Sequence, residues 1–142
     1  MKKLTSLLKQ GLITLGLLAL APVAMAEVAV VVHPSNAVSM DNGDISRIYL
    51  GKLKTFPGGG PVVPLDLKEG SATRSAFVDK VLGKSESQLK AYWSKLVFSG
   101  QGQPPKTVED AEMLSLVAAN PNMIGFVDAA NVNDSVKVIA RF

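Results

Sequence analysis

The stretch Leu65-Asp66-Leu67-Lys68-Glu69-Gly70-Ser71-Ala72-Thr73-Arg74 gathers the residue types best suited to chemistry. An apolar run leads into a small, hydroxyl-bearing turn, and a helical pattern starts there. The first backbone N–H groups of a helix lack intrahelical acceptors, and the helix dipole adds partial positive charge, so such a turn suits an oxyanion. Ser71 and Thr73 add hydroxyl donors, and Arg74 or Lys68 adds charge. Arg74 sits in the first helical turn, where a cation opposes the dipole. A bound anion would neutralise it, and so would a carboxylate such as Asp66 or Glu69. Ser71 acting as a plain N-cap gives the same local pattern.

Other chemistries find little support. His33 is the single histidine and reads as a solvated turn residue. No serine–histidine–aspartate set can be spaced around it. No His/Asp/Glu cluster has metal-ligand spacing. Asp41, Asn42 and Asp44 are placed like the start of a calcium loop, but the later glutamate of that motif is missing. Gly58-Gly59-Gly60 lacks the lysine and hydroxyl of a phosphate-binding loop. Tyr92 and Trp93 fall at helix-core spacing. With no cysteine, disulfides and thiolate sites are excluded. The expectation is a binding protein without catalytic residues, metal or cofactor.

These residues need a scaffold, and the chain from Glu27 onward is patterned to supply one. Val28 to Val32 is a continuous apolar run, as in a strand covered on both faces. Asp44 is a candidate cap for a helix from Ile45 to Leu50, whose apolar face is Ile45, Ile48 and Tyr49. Val62 to Leu67 reads as a strand. Helices are expected over Arg74 to Leu82, with Phe77, Val81 and Leu82 inward, and over Ser85 to Phe98. The second opens on a Ser85/Gln88 capping box and carries Leu89, Trp93, Leu96 and Val97 inward. Thr107 and Asp110 suggest a further box, for a helix to Ala119. Met123 to Val127 and Val136 to Ala140 read as closing strands. Strands interleaved with helices indicate one α/β domain with a mainly parallel sheet.

Residues 1–26 have the anatomy of an export signal: Lys2, Lys3 and Lys9, an apolar stretch, and Ala24-Met25-Ala26 before the expected cleavage. The apolar segment is interrupted by Pro22 and is shorter than the roughly 20 residues needed to span a bilayer. A domain of about 116 residues, 27–142, follows it. Three of the 15 basic residues lie in the signal and none of the 12 acidic ones does, so residues 27–142 carry 12 of each. The formal charge of +3 on the whole sequence is therefore no sign of nucleic-acid binding.

Four segments are similar, in order, to the phosphate-binding proteins of bacterial ABC transporters. Val28-Ala29-Val30-Val31-Val32-His33-Pro34-Ser35-Asn36-Ala37-Val38 resembles the entry to their second lobe, and Asp44 to Lys52 the helix after it. Gly70-Ser71-Ala72-Thr73-Arg74 with Phe77 resembles their Ser-Gly-Thr phosphate loop and its helix. Asn120 to Val127 resembles their Pro-Gly-Ala-Ile-Gly-Tyr strand. The resemblance implies a single lobe of a type II periplasmic-binding-protein-like fold, located in the periplasm. It implies phosphate or a similar oxyanion as ligand, on Gly70, Ser71, Ala72, Thr73 and Arg74, and an inner-membrane transporter or sensor as partner. Two departures stand out. Ala72 replaces the family's loop glycine, and Leu67 occupies the position of its basic residue. One lobe also leaves an anion half exposed to water, which screens its interactions. Two further readings stay open: an envelope protein-interaction module that has lost ligand binding, and a homodimer in which two copies close over one ligand. An exposed apolar patch near the loop would favour the homodimer.

Overall fold

The computed structural model describes residues 27–142, so the expected signal, 1–26, lies outside the described residues. Among those described, no helix is long and apolar enough to cross a membrane. The elements alternate as β1 (Val28–Val32), α1 (Asn42–Tyr49), β2 (Val63–Leu67), α2 (Ala72–Lys80), α3 (Glu86–Phe98), β3 (Lys106–Val108), α4 (Asp110–Ala119), β4 (Met123–Asp128) and β5 (Lys137–Arg141). One five-stranded sheet has the order β3-β2-β4-β1-β5. β2 pairs parallel with β3 and β4, whereas β1 pairs antiparallel with β4 and β5. Every side chain of β1 is buried, as its apolar run requires. That burial comes from its interior place in a covered sheet, and the direction of its neighbours is a separate matter.

Side-chain alternation along β4 assigns the layers. Phe126 stacks on Phe77 of α2 with ring centroids 3.9 Å apart, and Tyr49 of α1 meets both rings edge-on. The next residue back, Gly125, faces the other side of the sheet. A Cβ there would come within 2.5 Å of the Met113 sulfur and 3.1 Å of Val117, both on α4. So α1 and α2 cover one face and α4 the other, and Gly125 lets α4 lie close. The Tyr49 hydroxyl lies 2.9 Å from the Leu65 carbonyl and 3.2 Å from that of Ile124, where the β2–β4 ladder ends. Burial, and then the Asp66 charge, hold its pKa well above the usual value, so it stays a neutral donor.

Local starts and inward faces differ from expectation in several places, among them α2, which opens at Ala72, two residues before the expected Arg74. Helix α1 opens three residues early, because Asp41 is the cap: its Oδ1 accepts from Asp44 N at 2.7 Å, and Asp44 reaches back to Asp41 N. The acidic cluster at 41–44 is thus a reciprocal capping box. Thr107 is in the short strand β3, which pairs with β2, so the expected Thr107/Asp110 box does not form and Glu109 is the N-cap residue of α4. In α3, Leu89 and Trp93 are buried and the Ser85/Gln88 box is present, but Val97 is exposed. His33 lies in the turn after β1, its Nδ1 2.7 Å from the Ser35 hydroxyl.

Candidate functional site

β2 delivers Asp66 and Leu67 to the end of the parallel part of the sheet, and the chain then turns through Lys68, Glu69 and Gly70. Gly70 has a φ of +96°, a conformation that L side chains rarely adopt. Ser71 is the N-cap of α2 and its Oγ accepts from Arg74 N at 3.3 Å. Ala72 and Thr73 are the first two helical residues, so their N–H groups lie outside the helical ladder. Ala72 is exposed and Ser71 half-buried, while Thr73 is buried at 5% exposure. Ala72 is helical, and the positive-φ position of the turn is Gly70. Lys68 is ion-paired with Glu109, which ties the loop after β2 to the one after β3.

Arg74 is the most heavily engaged residue of the loop. Its Nη1 donates to Asp66 Oδ2 at 3.0 Å and to the Leu67 carbonyl at 2.9 Å. Its Nε donates to Glu86 Oε1 at 3.1 Å, and its Nη2 to Glu86 Oε2 at 3.3 Å. The guanidinium thus reaches back to the end of β2 at Leu67. Asp66, one of the two carboxylates the sequence offers to neutralise Arg74, takes that role. Glu69 was the other candidate, but Glu86 is the second partner. Sequence reasoning missed Glu86, which is twelve residues away at the start of α3; its place in the first turn of a helix also suits its charge.

Asp66 also accepts from Leu67 N at 2.8 Å. Burial raises its carboxyl, the Arg74 charge and the Leu67 N–H lower it and Glu86 raises it, with the balance at about 6. Near neutral pH one cation therefore faces two carboxylates, and as pH falls through about 6 one of them takes a proton. Donors available at the loop include the amides of Ala72 and Thr73 and the Ser71 O–H, which can donate while its oxygen caps the helix. These groups can cradle an oxyanion from one side.

No protein-family model and no curated protein matches the sequence. Solved structures do. An ABC-type phosphate transport receptor from Vibrio cholerae has a TM-score of 0.62 and 22% identity, over 81% of this chain and 46% of that one. A putative phosphate ABC transporter substrate-binding protein with bound phosphate, from Clostridium perfringens, has a TM-score of 0.61 and 28% identity, over 81% of this chain and 45% of that one. PstS from Borrelia burgdorferi gives 0.59 at 13% identity, over 81% and 47%. The chain thus spans a little under half the length of these proteins. It shares its α/β fold with a little under half of each of these phosphate-transport binding proteins.

Proposed function

We propose that this chain is an exported, non-enzymatic module that binds phosphate or a similar oxyanion at the Gly70–Arg74 loop. The observation that carries the reading is the place of that loop. It follows β2 at the end of the parallel strands and opens α2, in a fold shared with phosphate-transport proteins. The amides of Ala72 and Thr73 and the Ser71 hydroxyl are the contacts to the anion. Arg74 sets the backbone through Leu67 and supplies positive charge that Asp66 and Glu86 partly offset. With one lobe and an offset charge, affinity falls in the millimolar range, about −4 kcal/mol. Residues 1–26 direct the chain to the periplasm, where an inner-membrane transporter or sensor is its partner. The large hydrophobics left exposed among the described residues, Val63, Val97 and Phe98, belong to β2 and the end of α3 and not to the Gly70–Arg74 loop.

Calorimetry against phosphate and sulfate tests the reading, with Ala72→Asp as the decisive variant. Ala72 is exposed at the helix start, where a carboxylate favours the helix by about 0.3–1 kcal/mol but repels an anion. Binding should vanish while stability is kept. Lys95→Ala, on α3, serves as control. Heats that are absent in the native protein, or unchanged in Ala72→Asp, would end the proposal.

A further inference from the structure

A second face of the molecule joins exposed apolar surface to unpaired positive charge. Three adjoining clefts, of about 280, 390 and 460 Å³, share Trp93 as a wall. The large hydrophobics that the described residues leave exposed are Val63, Val97 and Phe98, and each borders one of these clefts. Phe98 is 95% exposed at the last turn of α3. Lys52, Lys54, Lys90 and Lys106 also line the clefts, and no carboxylate does. None of the four lysines is ion-paired among the described residues, whereas Arg47, Lys68, Arg74 and Arg141 all are. This face is therefore lined by cations with no carboxylate among the lining residues. It lies at the start of β2 and β3, the opposite end of those strands from the Ser71 loop.

We propose that this face docks an acidic segment of a partner protein. Apolar side chains of that segment enter the clefts around Trp93, and its carboxylates meet Lys52, Lys54, Lys90 and Lys106. The charge pattern selects an anionic partner, because four unpaired lysines with no carboxylate among the lining residues repel any basic one and are stabilised by carboxylates. The shape selects a polypeptide over a bilayer. Clefts of a few hundred Å³ accept single side chains, and a large aromatic at the centre with charges at the rim is the usual layout of a protein-binding hot spot. The site is separate from the oxyanion loop and does not depend on it.

Trp93 is the only tryptophan, so its fluorescence reports on this face directly. The full chain, purified after export, is titrated with a short tryptophan-free peptide that alternates Glu or Asp with Leu and Phe. Saturable change in Trp93 emission is expected, weakening as salt rises past the point where the Debye length falls below about 8 Å. Lys54→Glu with Lys90→Glu should weaken it about tenfold or more. Phe98→Ser, at a side chain with no packing role in the domain, should weaken it several-fold without moving the unfolding midpoint. An equal response to the Gln/Asn version of the peptide overturns the proposal, as does indifference to the lysine reversals. A response to phosphatidylglycerol vesicles but not to the peptide assigns the face to lipid instead. A concentration-dependent dimer abolished by Phe98→Ser assigns it to a second copy. Either result overturns the acidic-segment proposal.

Discussion

Replacing Arg74 by Met removes the guanidinium and keeps most of the aliphatic stem. In the native protein Arg74 joins the end of β2 to the first turns of α2 and α3 through Asp66, Leu67 and Glu86. Its side chain is 13% exposed and that of Asp66 12%, so the pair is nearly dry. Breaking such a pair leaves a buried carboxylate and costs about 3–5 kcal/mol when the charge cannot escape. Asp66 can escape by taking a proton, because burial already holds its pKa at about 6. The loss must then depend on pH. Folded Asp66 holds its proton more tightly than the unfolded chain does, so this group's contribution is full below its ordinary value of 3.8 and is lost as pH rises through about 6. Without Arg74 the carboxyl is pushed higher still. Below pH 6 it is protonated in both proteins, and what is lost is hydrogen bonds, packing and the partly exposed Glu86 pair, about 1–2 kcal/mol. At pH 8 the full penalty applies, about 3 kcal/mol, or roughly 10–15 °C in melting temperature. Urea unfolding at pH 5 and pH 8 reads both values. Adding Asp66→Asn should recover part of the loss at pH 8. Equal losses at the two pH values, or a loss at pH 8 below about 1 kcal/mol, would refute the reasoning.

Further expectations follow from single contacts. Gly125→Ala drives a methyl into Met113 and Val117 and should cost about 1–3 kcal/mol in urea unfolding, with Met113→Ala restoring room but not full stability. Tyr49→Phe leaves the Leu65 and Ile124 carbonyls without their buried donor and should cost about 1–3 kcal/mol with no change in secondary structure by circular dichroism. Sulfate keeps its charge across this range, so its affinity for the Ser71 loop should rise as pH falls through about 6, when Asp66 protonates; calorimetry at pH 5 and pH 8 checks the sign.

Much of this arrangement is written in local patterns. The apolar run 28–32, the Ser85/Gln88 box and the Ser71 cap each depend on neighbours a few residues apart, and all three stand in the structure. The α/β class follows from strands interleaved with helices. What escaped is non-local. The three-residue strand β3 owes its existence to pairing with β2, and its own sequence, Lys106-Thr107-Val108, imitates a helix cap. The antiparallel setting of β1 depends on where β4 and β5 return. At the site, the turn, cap and helix start were legible because they are contiguous. The Arg74–Glu86 contact was not, since it needs α3 folded back on α2. Val97 fits the inward spacing of α3, yet it lies beyond the core that Leu89 and Trp93 reach.

Amide chemical shifts of the chain from Glu27, followed through a sulfate titration, test the oxyanion site most directly. The loop donors are backbone N–H groups, so the bound anion must move their resonances. The expected result is a saturable, millimolar shift confined to Gly70 through Arg74, largest at Ala72 and Thr73, and absent in Ala72→Asp. Shifts that fail to saturate, or that spread over the lysines around Trp93 while Gly70 to Arg74 stay still, would contradict it.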